Sequence, residues 1–368
     1  MRQRHGSAPT IQALLAARLD RLGPTERAVL ACASVVGKDF APDALAALLP
    51  REARQPLPRH LQTLVRKGLI QPQRPSQANI PSHSFRHILI QQASYRAVPK
   101  ATRAQLHEVL GDWMESRGNS GPPWSTEVIG HHLEQAALYR RELQPGAPAA
   151  RLAHRAAGDL HVAANDALAI GDAAAAVNLF QRADRLLTRG DDTRAAILTG
   201  LGAAQVEAGL LEQARATLST ALHVATERGR DDLQAHARIQ ALLLGLHVDP
   251  TLTLSEIPRA LPGLRDTFTR HGDKLGMCRA WQLQAAASWA KARSADAEAA
   301  WEHAASYARA VGDQRHLTRS LRWLASAALW GPTPARQGIA LCDGYLEEIG
   351  NTRPAARSFS STWPDCMR

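Results

Sequence analysis

The chain has 368 residues, with 44 Lys and Arg against 34 Asp and Glu for a formal charge of +10, and only 5% aromatic residues. This length exceeds one ordinary domain, and a composition rich in Ala, Leu and Arg with few β-branched runs argues against a sheet protein. Cys32, Cys278, Cys342 and Cys366 lie too far apart for a disulfide framework or a zinc knuckle. No apolar run approaches the roughly 20 residues of a membrane span, and no signal-peptide core follows Met1, so a cytoplasmic chain without a membrane partner is expected.

The charge is uneven. Residues 1–150 hold 19 basic against 11 acidic side chains, and the remainder 25 against 23. Such asymmetry suits an acidic or nucleic-acid partner of the N-terminal part, or simply solvated Arg-rich helix faces.

In chain order, Thr10 to Leu22 places Ile11, Leu14, Leu15, Leu19 and Leu22 on one helical face and stops at Gly23-Pro24. Helices are predicted from Pro24, from Pro42, and from about Pro58 to Lys67, ending at Gly68. LIQPQ, the polar loop RPSQANIPS and HSFRHILI then read as two short extended pieces around a loop. Three short helices followed by such a pair predict a winged-helix module. Helices resume from Ile88 to Arg96 and after Pro99, with Arg117 to Ser125 and Leu143 to Pro148 as loops.

From residue 150 onward a period appears. Gly171 and Gly209 lie 38 residues apart, and with that offset Leu160, Ala164, Ala176, Phe180 and Ala183 fall on Leu198, Gly202, Ala214, Leu218 and Ala221. Trp281, Ala285, Ala297, Trp301 and Ala304 form a third copy. Alternating small and large positions match a tetratricopeptide repeat: small residues let paired helices approach, and Phe180, Leu218 and Trp301 fill the gap to the next pair. Leu233 to His271 reads as a degenerate copy carrying the insertion PTLTLSEIPRALP, and Leu321 to Gly350 as one interrupted by GPTP, giving four or five hairpins.

Few residue groups suggest chemistry. CASVVGKDF has Cys32 and Asp39 where a P-loop needs glycine and a hydroxyl, so no nucleotide site is expected. His83 and His87 lack a third ligand, and His131-His132 reads as one packed and one exposed ring. Asp191-Asp192 and Asp231-Asp232 open helices and read as caps. Phe85, Ile88, Leu89 and Tyr95 read as core, as do most of Trp281, Trp289, Trp301, Trp323 and Trp330. On the third helix of the module, Arg59, Gln62, Arg66 and Lys67 could contact DNA.

The ordered runs PTIQALLAARLDRL, ERAVLACASVVGKDF, LVRKGLIQP, FRHILIQQASYRAVPKATRAQLHE and GHHLEQAALYRREL resemble the region that follows the ATPase module in signalling ATPases of the STAND class. They are similar in particular to class III adenylate/guanylate cyclases with an AAA-type ATPase and a TPR tail, and to LuxR-type regulators. The resemblance covers about residues 8 to 350. It implies that Phe85, Arg86, His87, Leu89, Ile90, Ala93, Tyr95 and Pro99 form a structural signature of the winged helix, with Ser94 inserted before the Tyr. The chain departs from the family in having no P-loop ATPase, cyclase or far-end helix-turn-helix, and NTRPAARSFSSTWPDCMR leaves the repeat pattern, which suggests truncation at both ends.

The expectation is therefore an all-α chain: residues 1–23 a remnant helix of an ATPase module, 24–117 winged-helix-like with a small β wing, 118–150 a linker helix region, 151–350 a TPR-like solenoid and 351–368 an irregular tail. No catalytic, cofactor or metal residues are expected. A protein or peptide in the repeat groove is the expected partner, with an ATPase module supplied in trans as a further one and duplex DNA as the second reading.

Overall fold

The computed structural model describes residues 11–73, 82–117, 125–331 and 333–350, with the side chains of residues 11–14 and 16 left aside. Most of the loops at RPSQANIPS and RGNSGPPWS, and the tail from residue 351, lie outside the described residues. Among those described there are eighteen helices and one three-stranded sheet, so the chain is all-α apart from a small wing. It divides into two compact units, Met1–Asp159 and Leu160–Arg368.

The first unit opens with α1 (Ile11–Asp20), α2 (Pro24–Val36), β1 (Asp39–Phe40), α3 (Pro42–Leu48), the single turn α4 (Arg51–Arg54) and α5 (Leu57–Arg66). Proline at the first turn starts α2 and α3, and Gly68, at φ +65°, ends α5 in a conformation that costs other residues strain. β2 (Ile70–Gln73) and β3 (Ser82–Phe85) follow, in the order β1-β3-β2, both pairings antiparallel. Phe40 sits opposite His83, and Ile70 opposite Phe85. After α1, one helix, one strand, three helices counting the single turn α4, and two strands therefore follow one another in this unit. β1 is an addition to the expected pair of strands: two residues carry no readable alternation.

Leu30, Leu45, Leu64, Leu69, Ile70 and Phe85 are fully buried and form the centre of this unit. Ile88, expected in the core, is 42% exposed, because the first turn of α6 (Ile88–Ala97) turns it outward while Ile90 is buried. α7 (Lys100–Arg117) and α8 (Thr126–Leu143) complete the helices that lie wholly within this unit.

The second unit runs from within α9 (Ala147–Ala169) through α10 (Ala173–Leu186), α11 (Arg194–Glu207), α12 (Leu211–Glu227), α13 (Asp231–Val248), α14 (Pro250–Arg270), α15 (Lys274–Ala290), α16 (Ser294–Val311), α17 (Gln314–Trp330) and α18 (Ala335–Gly350). Consecutive helices pack as hairpins, and the hairpins stack. Leu160, Ala164, Ala176, Phe180, Ala183, Leu198, Gly202, Ala214, Leu218, Ala221, Ala285, Ala297, Trp301 and Ala304 are all buried, whereas Trp281 is half-buried. The glycine positions show why small residues recur: a Cβ on Gly200 would lie 2.5 Å from the Phe180 ring, and one on Gly202 2.5 Å from Leu218.

Two expectations need correction, and one is borne out with an exception. PTLTLSEIPRALP is no insertion; it is most of α14, which accommodates Pro258 and Pro262 in its interior. Pro258 has no N–H for the carbonyl of Leu254, and the ammonium of Lys291 donates to that carbonyl at 3.1 Å instead. Most of the five tryptophans are core as read: Trp301 is buried and stacks on Trp323 at 5.8 Å, and Trp281, Trp289 and Trp323 pack half-buried against the same cluster, whereas Trp330 is 73% exposed at the end of α17. Asp231 and Asp232 open α13 in its first turn as read, but the N-cap position is Arg230, and Asp191-Asp192 precede α11, whose N-cap is Thr193. Asp191 bonds the Thr193 N–H in a local turn, Asp192 pairs with Arg228, Asp231 with Arg270 and His271, and Asp232 with Arg230.

Candidate functional site

The signature residues of the first unit hold structure together. Phe85 is buried, with the Phe40 ring edge-on at 5.6 Å. The backbone N–H of Arg86 donates to Leu69, and the Nδ1 of His87 caps α6 by accepting from the Leu89 N–H at 3.1 Å. Tyr95 Oη lies 2.8 Å from His107 Nε2 and 3.1 Å from Tyr139 Oη, and Arg103 donates to Tyr139 Oη. His132 is buried and meets His107, while the His131 side chain is about half exposed.

On α5, Leu57, Leu61 and Leu64 face the core, and Arg59, Gln62 and Arg66 are exposed on the opposite side. Lys67 is exposed too, but its ammonium pairs with Glu26 and its carbonyl accepts from Arg18. The Glu26 carboxyl is held below its usual range, chiefly by that bond from Lys67.

The second unit has a groove of about 600 Å³ lined from α9, α11, α13, α15 and α17, the first helix of each hairpin. None of its polar residues belongs to the repeat pattern read from the sequence. At its floor lies Arg279. Its Nε donates to His316 Nε2 at 3.3 Å, and its Nη1 lies 3.1 Å from His236 Nδ1.

A guanidinium only donates, so both of these imidazole nitrogens are acceptors and both rings are neutral. The remaining nitrogens must then carry the protons: His236 Nε2–H donates to Asp273 Oδ2 at 2.7 Å, and His316 Nδ1–H donates to Gln282 Oε1 at 3.0 Å. The Gln282 amide donates in turn to Ser320 Oγ and to the His316 carbonyl. The network fixes each tautomer without ambiguity.

Electrostatics agree with this assignment. Burial, with Arg279, Arg315 and Arg319 adding repulsion, pushes His316 well below the ordinary histidine value. Burial likewise lowers His236 against the opposing pull of Asp273. Burial would raise Asp273, but the His236 bond and the Gly276 N–H that it caps prevail and hold it at about 2. Arg315 donates to Glu207 at 2.8 Å, with Arg319 Nη1 at 3.9 Å from the same carboxylate. His161 also lines the groove, and its buried Nδ1 has no hydrogen-bond partner among the described residues. The result is a mixed surface of guanidinium, carboxylate, amide and aliphatic groups, ordered before any ligand arrives.

No family model matches the chain. An uncharacterized protein of Rhizobium meliloti (strain 1021) is 31% identical over 130 residues, which is 34% of this chain and 12% of that protein, so the chain matches only a small part of that relative's length. Among solved structures, the chain is similar to a STAND protein with a tetratricopeptide repeat sensor from Pyrococcus horikoshii, at 14% identity and a TM-score of 0.37, covering 96% of this chain and 54% of that one. BtubC from P. vanneervenii is similar at 13% identity and a TM-score of 0.41, over 65% of this chain and 92% of that one. A circular tandem repeat protein with a novel repeat topology is similar at 13% identity and a TM-score of 0.26, over 95% and 89%.

Proposed function

We propose that this chain is a non-catalytic regulatory protein whose repeat unit captures a segment of a protein partner in the groove around Arg279. The observation that carries this reading is that five successive hairpins contribute to one groove whose polar groups are already fixed by Asp273, His236, His316 and Gln282. Preorganised donors and acceptors of mixed charge suit a polypeptide, whose backbone and side chains offer both kinds of partner. The setting we infer is a STAND ATPase or cyclase type signalling system, with the ATPase supplied by another module. That setting follows from the ordered sequence runs.

A photo-reactive residue at Gln240, which lines the groove, tests the first part, with Ala216 on the exposed side of α12 as the control position. Crosslinking in the native cell to one polypeptide from position 240 and not from 216 is expected. Equal labelling from both positions refutes groove capture. ATP hydrolysis or cyclic nucleotide formation by the purified chain refutes the non-catalytic part. No described helix is long and apolar enough to cross a membrane; the cytoplasmic placement belongs to the same proposal and is tested by cell fractionation.

The exposed row Arg59, Gln62 and Arg66 on α5 favours duplex DNA as the second reading. It requires binding that weakens steeply with salt and is lost in the triple alanine variant. Lys67, engaged with Glu26, contributes less on this reading.

A further inference from the structure

Residues on α15 opposite Arg279 line a second cavity. Trp281, Gln284, Ser288 and the C-cap Lys291 follow one another at three- and four-residue steps, and so face one cleft of about 480 Å³ whose other walls are α14 and α16. The Arg265 guanidinium lies 3.7 Å above the Trp281 ring, and His303 stacks on Trp281 at 4.3 Å. Arg265 Nη2 donates to the neutral amide oxygen of Gln284, and the buried Nε of Arg265 and Nε1 of Trp281 have no acceptor among the described residues. No carboxylate bonds Arg265 among those residues, and burial lowers its pKa.

Donors and positive charge dominate this cleft. Among the described residues its lining carries three cations, Arg265, Lys291 and Arg293, against one carboxylate, Asp296, which Arg293 already engages at 2.5 Å. Lys291 uses one of its three N–H donors on the Leu254 carbonyl that Pro258 leaves free. Gln284, its oxygen taken by Arg265, has its NH₂ group left to offer, and Ser288, about 6 Å further along the helix, adds a hydroxyl. The aliphatic residues of the lining offer a ligand little surface, since Ile257, Leu261, Ala287 and Ala300 are only 1–7% exposed. A half-buried guanidinium held by neutral groups alone is the environment in which a missing counter-charge is most strongly favoured.

We infer that this cleft binds a compact phosphate dianion, free or as the head of a small phosphomonoester, between the Arg265 guanidinium, the Gln284 amide and the Ser288 hydroxyl, with Lys291 supplying the second positive charge. A phosphate group brings close to two negative charges and three strong acceptor oxygens, which matches several donors and an excess of two cations; a monocarboxylate would leave one cation unmatched. The volume of the cleft is within the range of small-molecule sites. The site is independent of the groove around Arg279, and neither proposal depends on the other.

Inorganic phosphate is the first probe, titrated into the full chain through the millimolar range at constant ionic strength, with chloride as the monovalent comparison and Trp fluorescence as the signal. Saturable phosphate binding is expected to alter the emission, and Trp281→Phe should remove most of that change. Losing one charge-assisted hydrogen bond predicts that Arg265→Gln weakens phosphate roughly tenfold or more. Arg141→Gln, at an exposed arginine of α8, should leave the affinity unchanged. Ala299 is exposed and lines the cleft, so substitutions there test the same point without disturbing the core. Ala299→Glu should weaken phosphate by repulsion, and Ala299→Lys should strengthen it. Glycerol 3-phosphate separates the two sources of the group: tighter binding than inorganic phosphate assigns the site to an ester, and equal or weaker binding assigns it to the free ion. An emission change no greater than that of chloride, or phosphate binding indifferent to both Arg265→Gln and Ala299→Glu, overturns the proposal.

Discussion

The Nδ1 atoms of His107 and His132 lie 2.9 Å apart in the first unit, and the two residues are 2% and 3% exposed. One of the two nitrogens carries a proton and the other does not, so both rings are neutral. Arg103 donates to Tyr139 Oη, and Tyr95 Oη bridges Tyr139 Oη and His107 Nε2, so the pair ends a continuous chain of hydroxyl and imidazole groups.

Acid should break this arrangement. Burial, with neighbouring His132, His131 and Arg103 as further causes, lowers His107 to about 2; burial and His131 lower His132 to about 3. Both folded values lie below the unfolded value of about 6.5, so their stabilisation is complete above that pH and is lost as pH falls toward 3. Each ring contributes a slope of up to about 1.4 kcal/mol per pH unit. Urea titrations at pH 7 and pH 5 should show a marked loss of stability of this unit, and His132→Gln should flatten the dependence by about one proton. A pH-independent midpoint over that interval contradicts the neutral pair.

Two glycines flanking one turn should respond oppositely to alanine. In α15, a Cβ on Gly276 would overlap the ring of Phe268, which is 0% exposed and cannot yield. Overpacking of this kind costs about 1–3 kcal/mol, more than the roughly 1 kcal/mol gained in helix propensity. Gly263 in α14 has nothing within 4 Å of the corresponding position. Gly276→Ala should lower the thermal midpoint and Gly263→Ala should raise it.

Pro258 and Lys291 should be coupled. Lys291→Met leaves the Leu254 carbonyl without its donor and should cost roughly 0.5–1 kcal/mol at this exposed site. Pro258→Ala restores a backbone N–H to the same carbonyl, so it should stabilise α14 and make Lys291→Met nearly neutral. Additive single and double variants count against this account.

The repeat was legible because Ala176, Ala214 and Ala297 recur beside Phe180, Leu218 and Trp301, and close packing forces small and large residues to alternate at a fixed offset. α14 was misread because Pro258 and Pro262 normally break helices, and nothing local announces that a lysine some thirty residues away will satisfy the freed carbonyl. β1 was missed because two residues have no period. The groove was invisible for a different reason: its residues are scattered over five helices and meet only when the hairpins stack. One signal was available. Gly171-Asp172, Gly272-Asp273 and Gly312-Asp313 share a pattern in which glycine at positive φ is followed by an aspartate that caps the next helix. Asp273 and Asp313 mark the starts of the two helices that carry Arg279 and His316.

Asp273 therefore does two things, and one substitution separates them. Its Oδ1 accepts from the Gly276 N–H at 2.8 Å as a helix cap, and its Oδ2 accepts the His236 Nε2 proton at 2.7 Å. Asn at this position keeps a cap oxygen but turns an amide N–H toward His236. To accept that N–H, His236 must move its proton from Nε2 to Nδ1, where it confronts the donating Nη1 of Arg279 3.1 Å away. Two donors at that distance repel, so Arg279 should leave its position on the groove floor. Asp273→Asn is thus expected to cost about 1–3 kcal/mol of stability in the second unit while α15 stays helical. Imidazole nitrogen shifts measured by NMR should show the tautomer of His236 exchanged and that of His316 unchanged. An Nε2-protonated His236 in the Asp273→Asn variant with the Gly276 N–H still capped rules out the tautomer chain described here, because an amide that turned its oxygen to His236 would have to give up the cap.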